Sequence, residues 1–151
     1  MSKLKNLTNR ITEFGTNPNV ESENKTDEIQ KLLVGIYSEY LKLNAEFDDA
    51  DFDEEPNFDY KSIKKNVEAN FPEFGWYHSV WECHKIIPDA DLVTEDAIDD
   101  ITDIIKDLLE VKWCFENTSE KNAEWHFCDL MRIHSEQHLV NFLKYIKDKK
   151  G

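Results

Sequence analysis

Two histidines stand four positions apart near the end of the chain, in the stretch IHSEQHLV that covers residues 133–140. Positions at this spacing lie about one turn apart on an α-helix, so His134 and His138 point in the same direction. Two such imidazoles can chelate one metal ion, and with a carboxylate they can also act as an acid–base pair. They can equally be core residues whose ring nitrogens are satisfied by hydrogen bonds. The spacing by itself leaves these three interpretations open.

The helix that carries the histidines has one apolar stripe. Its members are Phe127, Leu130, Met131, Leu139, Phe142, Tyr145 and Ile146. On a helical wheel His134 and His138 fall inside this stripe, whereas Arg132 and Glu136 fall on the solvent face. Because a buried imidazole needs hydrogen-bonding partners, we expect both rings to be at least half buried against carboxylate or backbone groups.

The preceding helix, EDAIDDITDIIKDLLEVKWCFE, is the expected source of those carboxylates. Its apolar face comprises Ala97, Ile98, Ile101, Ile104, Ile105, Leu108 and Val111, and the other side is acidic. Only the short break NTS separates it from the last helix, which is typical of an antiparallel hairpin. A turn near Thr118 would set His134 level with Thr102 and His138 level with Ile98.

This register predicts that Asp100 accepts a hydrogen bond from one of the two histidines, and that Asp100 or Asp103 is the third ligand of a metal site. His126 fits poorly as a ligand, because it lies about 80° around the wheel from His134. No catalytic residue is predicted, since Ser135 stands on a helix without an oxyanion-hole loop.

Two other candidate sites are set aside. Asp49, Asp51 and Asp53 have the first spacings of a calcium loop, but Glu54 occupies the position that needs glycine and Tyr60 the one that needs glutamate. We therefore expect a solvated acidic loop here.

The cysteines also favour no metal site. Cys83 and His84, with His78 shortly before them, have no C-x-x-C partner motif, so we expect ordinary packing in an aromatic loop. With Cys114 and Cys128 the cysteines are three in number and scattered, which is typical of reduced thiols in a cytoplasmic protein.

Composition limits the class of protein and of partner. A chain of 151 residues with 40% hydrophobic residues can form one globular domain, residues 1–151, with its own core. The net charge of −14 argues against nucleic acid and anionic membranes and favours a basic partner. The start of the chain has no long apolar run, so neither a signal peptide nor a membrane span is expected.

Hydrophobic periodicity predicts an all-α fold, an up–down four-helix bundle with an extra short helix and an aromatic-rich crossover. The predicted helices cover residues 1–14, 26–47, 94–117 and 119–148, with the short helix near YKSIKKNVEANF. Thr26, Thr94 and Ser119 are the predicted N-caps. The segment FPEFGWYHSVWECHKIIPDADLV is the least regular, and we expect it to cross one end of the bundle or to form a short strand-like excursion.

Three stretches within residues 57–146 resemble an uncharacterised bacterial family, a domain of unknown function. They are NFDYKSIKKNVEANFPEFGWY, DAIDDITDIIKDLLEVKWCFEN and AEWHFCDLMRIHSEQHLVNFLKYI, in an order that joins an acidic helix, W-x-F-E-N, W-H and H-x-x-x-H. The resemblance implies an all-helical bacterial domain and brings no activity, cofactor or catalytic residue. The late H-x-x-x-H is also similar to metal-binding bundles of the damage-inducible thiol-transferase type, but residues 26–47 lack the early histidine that those need.

Two functional hypotheses follow. The favoured one is a non-enzymatic acidic module that binds a basic protein partner, as an inhibitor or immunity protein would, with no cofactor. Its tentative partner-binding residues are Asp99, Asp103, Asp107, Glu110, Trp76 and Trp81. The alternative is a binder of a divalent metal, or a metal-dependent enzyme, that uses His134 and His138 with Asp100 or Asp103. A cytoplasmic location and a homodimer complete the expectations.

Overall fold

The structure is a computed structural model in which residues 2–151 are described. Six α-helices and one pair of strands make up the fold, and a short π-helical segment, Met131–Ser135, joins the last two helices. In chain order the elements are α1 (Lys3–Thr16), α2 (Lys25–Lys42), α3 (Tyr60–Asn70), β1 (Trp76–Trp81), β2 (Asp91–Asp96), α4 (Ala97–Asn117), α5 (Glu120–Leu130) and α6 (Glu136–Lys150). No helix in residues 2–151 is long and apolar enough to cross a membrane.

α4 is the central element of the fold. It packs against α1, α3, α5 and α6, and its apolar face is buried along almost its whole length. Gly15 of α1 lies where a Cβ would stand 2.5 Å from Ile105 and 2.9 Å from Ile63. The glycine therefore allows α1 to approach α4 and α3 closely. It lies inside α1, which extends to Thr16 and so beyond the predicted end at residue 14.

The N-caps agree with the sequence at one of three predicted positions. Ser119 accepts a hydrogen bond from the backbone N–H of Asn122, as expected. α2 is capped by Asn24 and not by Thr26, and it ends at Lys42, so Phe47 lies outside it. Local polar residues compete for capping positions, and the backbone direction imposed by packing decides which one caps.

The aromatic segment contains the main departure from the predicted all-α fold. β1 and β2 pair antiparallel, with Trp76 opposite Asp96 and Trp81 opposite Asp91. Thr94, the predicted N-cap of α4, lies within β2, and the side chain of Asp96 caps α4 instead by accepting from the Ile98 N–H. The fold is therefore mostly helical with one small sheet, and the up–down four-helix arrangement stays a prediction.

The last predicted helix is interrupted by the π-helical segment. Its buried positions recur every four residues, at Ala123, Phe127, Met131, Ser135 and Leu139. In a regular α-helix each step of four advances about 40°, so this set would drift by about 160° away from the core. The wider π turn corrects the drift, and it lies directly at His134.

Candidate metal centre

The imidazole of His134 is held by a carboxylate on α4. Its Nδ1 lies 2.7 Å from Oδ2 of Asp107, and the hydroxyl of Ser135 donates to the same oxygen at 2.7 Å. Asp107 is only 8% exposed, whereas the ring of His134 is exposed. The sequence register had placed Thr102 opposite His134 and missed Asp107 as its partner. The prediction that His134 is buried or half buried was wrong, since its side chain is 43% exposed.

The imidazole of His138 is held in the same way. Its Nδ1 lies 2.7 Å from Oδ1 of Asp100, and the hydroxyl of Tyr77 donates to Oδ2 of that carboxylate at 2.5 Å. The predicted bond between Asp100 and a histidine is therefore present. Asp100 is 1% exposed and His138 is half buried, so β1 and α4 together fix this ring.

These two bonds define which nitrogen of each ring remains as a possible metal ligand. An ionised carboxylate only accepts hydrogen bonds, so Nδ1 of His134 and of His138 carries the proton. In neutral imidazole the other nitrogen, Nε2, then keeps its lone pair. Histidines that bind metals in proteins commonly donate the opposite N–H to a carboxylate in this manner.

Asp103 supplies a third donor next to the two rings. Its Oδ2 lies 3.3 Å from Nε2 of His138. One ligand atom from each of Asp103, His134 and His138 lies within 4.8 Å of the others. Tetrahedral ligands about 2.0–2.2 Å from a zinc ion stand roughly 3.3–3.6 Å apart, so small side-chain rotations would complete such a site. Asp100, the other predicted third ligand, instead accepts a hydrogen bond from Nδ1 of His138, the ring nitrogen that does not face Asp103.

The centre carries more negative than positive charge. Four aspartates, at positions 99, 100, 103 and 107, lie around the two histidines, and the hydroxyl of Tyr60 donates to Asp99. Among residues 2–151 no lysine or arginine forms an ion pair with any of these carboxylates. A divalent cation would offset this charge in a partly dry site.

The pKa values in this centre reflect burial and the closeness of the four carboxylates. Burial, followed by the nearby Asp99, raises the pKa of Asp103 to about 6. Burial also raises the pKa of Asp100, although hydrogen bonds from His138 and Tyr77 oppose this. Burial alone would lower the pKa of His138, but the bond to Asp100 and the charge of Asp103 raise it overall. The attraction between His138 and the carboxylates therefore offsets the effect of burial only in part, since the pKa of Asp100 stays raised.

A second cluster joins Glu55, Glu110 and His126. Here Nε2 of His126 faces both carboxylates, 3.4 Å from Glu110 and 3.6 Å from Glu55. The bond to Glu110 raises the pKa of His126, against the opposing effect of burial. Its ligand atoms also lie close enough together to hold a metal ion, but it offers one imidazole where the first centre offers two. With His126 protonated between the two carboxylates, the cluster forms an ion-pair triad. His126 takes no part in the first centre, as its place on the helical wheel indicated.

The acidic residues of α4 that were predicted to bind a partner contact neighbouring elements of the fold, and their role in partner binding stays a prediction. Asp99 is bonded to Tyr60, Asp103 and Asp107 contact the histidines, and Glu110 contacts His126. These carboxylates are at least partly buried and point at neighbouring elements.

The two tryptophans predicted to bind a partner are exposed, and the three cysteines form no disulfide in residues 2–151. Trp76 is 76% and Trp81 54% exposed, so both are available as partner-binding residues. Cys83 is exposed, Cys114 is buried, and both are free thiols, as is Cys128. In the described chain the Cys83–His84 pair belongs to neither cluster of potential ligands.

Comparisons with known proteins characterise the fold and no activity. No protein-family model matches the chain, and no curated protein matches it significantly. Among solved structures it is similar to protein BF1032 from Bacteroides fragilis, a structural-genomics target, with a TM-score of 0.72 and 14% identity over 99% of this chain and 90% of that one. These findings agree with the resemblance to an uncharacterised family, and at this identity the neighbour shows the fold alone.

Proposed function

We propose that the chain binds one divalent transition-metal ion through Nε2 of His134, Nε2 of His138 and the carboxylate of Asp103. The observation that carries this proposal is the pair of 2.7 Å bonds that Asp107 and Asp100 make to the two Nδ1 atoms. They set both rings in the tautomer that leaves a lone pair on Nε2. Core packing alone does not account for this, because the ring of His134 is exposed.

The ligand set favours particular metals. Two imidazoles and one carboxylate are nitrogen and oxygen donors without a thiolate, which suits zinc, iron(II), cobalt, nickel and manganese. Calcium and magnesium, which take oxygen ligands, would use only Asp103 of the three. A competition series should therefore rank the first-row divalent ions above magnesium and calcium.

Three protein ligands leave at least one coordination position for water. Catalytic zinc sites share this arrangement, and the ion there lowers the pKa of the bound water to about 7. Because the ring of His134 is exposed, that position would lie on the solvent side of the centre. Hydrolysis with metal-bound water is the chemistry that this geometry would suit.

The test is a calorimetric titration of chelator-treated, tag-free protein with zinc chloride, repeated with cobalt for its absorption spectrum. We expect one ion per chain and a cobalt spectrum typical of nitrogen and oxygen ligands. His134→Gln and His138→Gln should each weaken binding by at least about 100-fold, since each removes a direct ligand. His126→Gln is the matched control, because it removes a histidine from the ion-pair triad on the same helical hairpin.

Zinc binding of equal strength in wild type, His134→Gln and His138→Gln would contradict the metal proposal. So would equal losses in these variants and in His126→Gln, because that pattern would indicate general binding to an acidic surface. Circular dichroism of each variant establishes that the helices remain.

The acidic interaction module is the second candidate function, and the exposure of Trp76 and Trp81 favours it. Its surface would be the strand pair and not the acidic side of α4, whose carboxylates are engaged inside the fold. Under either candidate, a cytoplasmic location and a homodimeric state remain predictions.

A further inference from the structure

The strand pair β1–β2 has one face that no other element within residues 2–151 covers. Paired residues of an antiparallel sheet lie on the same side, so Trp76, Val80 and Leu92 share a face. Their exposed fractions are 76%, 45% and 71%. The connecting loop adds Ile86 and Ile87, both more than 80% exposed. His78 and Thr94 separate Trp76 from the Val80–Leu92 pair, and exposed apolar side chains of this size gathered on one face are typical of interaction sites.

The opposite face is anchored to the body of the protein. The rings of Tyr77 and Tyr145 lie 5.1 Å apart, and the Tyr145 hydroxyl accepts a hydrogen bond from the Gly75 N–H. The hydroxyl of Tyr77 reaches Asp100 on α4. A rigid strand pair with a free apolar face loses little conformational entropy when a partner docks.

The charges around this face indicate the chemistry of the partner. A groove of about 480 Å³ adjoins Trp76 and includes the carboxylates of Glu68 and Asp96, together with Lys64, whose Nζ lies 3.9 Å from Glu68. Asp96 lies opposite Trp76 in the strand register, and an aromatic ring beside this carboxylate suits a lysine or arginine side chain, through a cation–π contact and ion pairing. The net charge of −14 gives a basic partner a further long-range attraction.

We propose that this face docks an amphipathic basic segment of another protein. Its apolar side chains pack on Trp76, Val80 and Leu92, and a cationic side chain enters the groove beside Trp76. The inference rests on the second candidate function and is independent of metal binding, since none of these residues belongs to the metal centre.

The probe is a fluorescein-labelled peptide of alternating leucine and lysine, with binding followed by anisotropy at physiological salt. Trp76→Ser/Leu92→Ser should weaken binding about 10-fold or more, because aromatic anchors supply most of the energy of an interface. Leu41→Ser, which removes an apolar side chain of similar exposure from α2, should leave binding unchanged. Replacing the leucines of the peptide by serine should abolish tight binding while keeping its charge.

Three results would overturn the proposal. Equal binding by wild type and Trp76→Ser/Leu92→Ser would place docking elsewhere, while the interaction module itself would survive. Absence of peptide binding by every form would overturn both. Sedimentation showing a wild-type dimer that Trp76→Ser/Leu92→Ser converts to monomer would instead assign the face to a second copy of the chain.

Discussion

His134 and Asp107 form a bonded pair across the interface between the last helical stretch and α4, with Nδ1 of the ring 2.7 Å from Oδ2 of the carboxylate. The two residues are brought together by the π turn and by the closeness of the helical hairpin. The pair leaves Nε2 of an exposed ring free, so its integrity should govern metal affinity without Asp107 touching the ion.

Asp107→Asn tests this relationship. The amide can offer its nitrogen or its oxygen to His134, so the preference for one tautomer weakens, and we expect a 10- to 100-fold loss of zinc affinity. Competition with a chromogenic chelator measures it. Glu116→Gln on the exposed side of α4 should have no such effect. Unchanged affinity in Asp107→Asn would show that the bond does not position the ring.

Tyr77→Phe should destabilise the protein. The change leaves Asp100, which is 1% exposed, without the hydrogen bond from the Tyr77 hydroxyl. Loss of a bond to a buried charged group costs about 1–3 kcal/mol of unfolding free energy. Urea unfolding of the chelator-treated protein measures this. Tyr40→Phe is the control, since within residues 2–151 the hydroxyl of Tyr40 forms no hydrogen bond, and equal losses in the two variants would contradict the assignment.

The ion-pair triad of His126 predicts a pH-dependent contribution to stability. The charged groups that face His126 are Glu110 on α4, Glu55 in the loop between α2 and α3, and Asp129 on α5. The bond to Glu110 raises the pKa of His126 above its usual value. A raised histidine pKa stabilises the fold below the unfolded-state pKa, and that stability is lost as pH rises through the folded-state pKa.

His126→Gln should therefore lower the melting temperature by roughly 2–5 °C near pH 5.5 and by clearly less near pH 9. Thermal melts of wild type and His126→Gln at the two pH values give this difference. The effects of the other titrating groups on the melting temperature largely cancel in it. A constant difference at both pH values, or a larger one at the higher pH, would show that protonated His126 does not hold the triad.

Two glycines within helices should respond in opposite ways to alanine. Gly15→Ala would place a Cβ 2.5 Å from the Ile105 side chain, so we expect about 1–3 kcal/mol of destabilisation from overpacking. Gly35→Ala meets only the end of the Leu7 side chain at 3.3 Å, and alanine is the better helix former by about 0.5–1 kcal/mol. Urea unfolding of both variants provides the comparison, and stabilisation by Gly15→Ala would mean that α1 and α4 are not closely packed there.

Much of the helical framework was predictable from local patterns. The apolar face of α4 and the Ser119 cap are encoded within a few residues, and so is the short turn before the last helix. The register of the predicted hairpin placed Asp100 near the two histidines, and the structure contains the bond between Asp100 and His138. The strand pair was less predictable, since its residues also suited a loop, and pairing depends on a second segment ten residues away.

By itself the sequence determined that the chain is mostly helical and acidic and that His134 and His138 share one helical face. Helical periodicity and charge are local properties, so one sequence suffices to establish them. Only the tertiary structure decided that Asp107 holds His134, that Asp103 rather than Asp100 lies on the Nε2 side of His138, and that Trp76 is exposed. These contacts depend on the axial register of packed helices and on the π turn, where a shift of one residue rotates a side chain by about 100°.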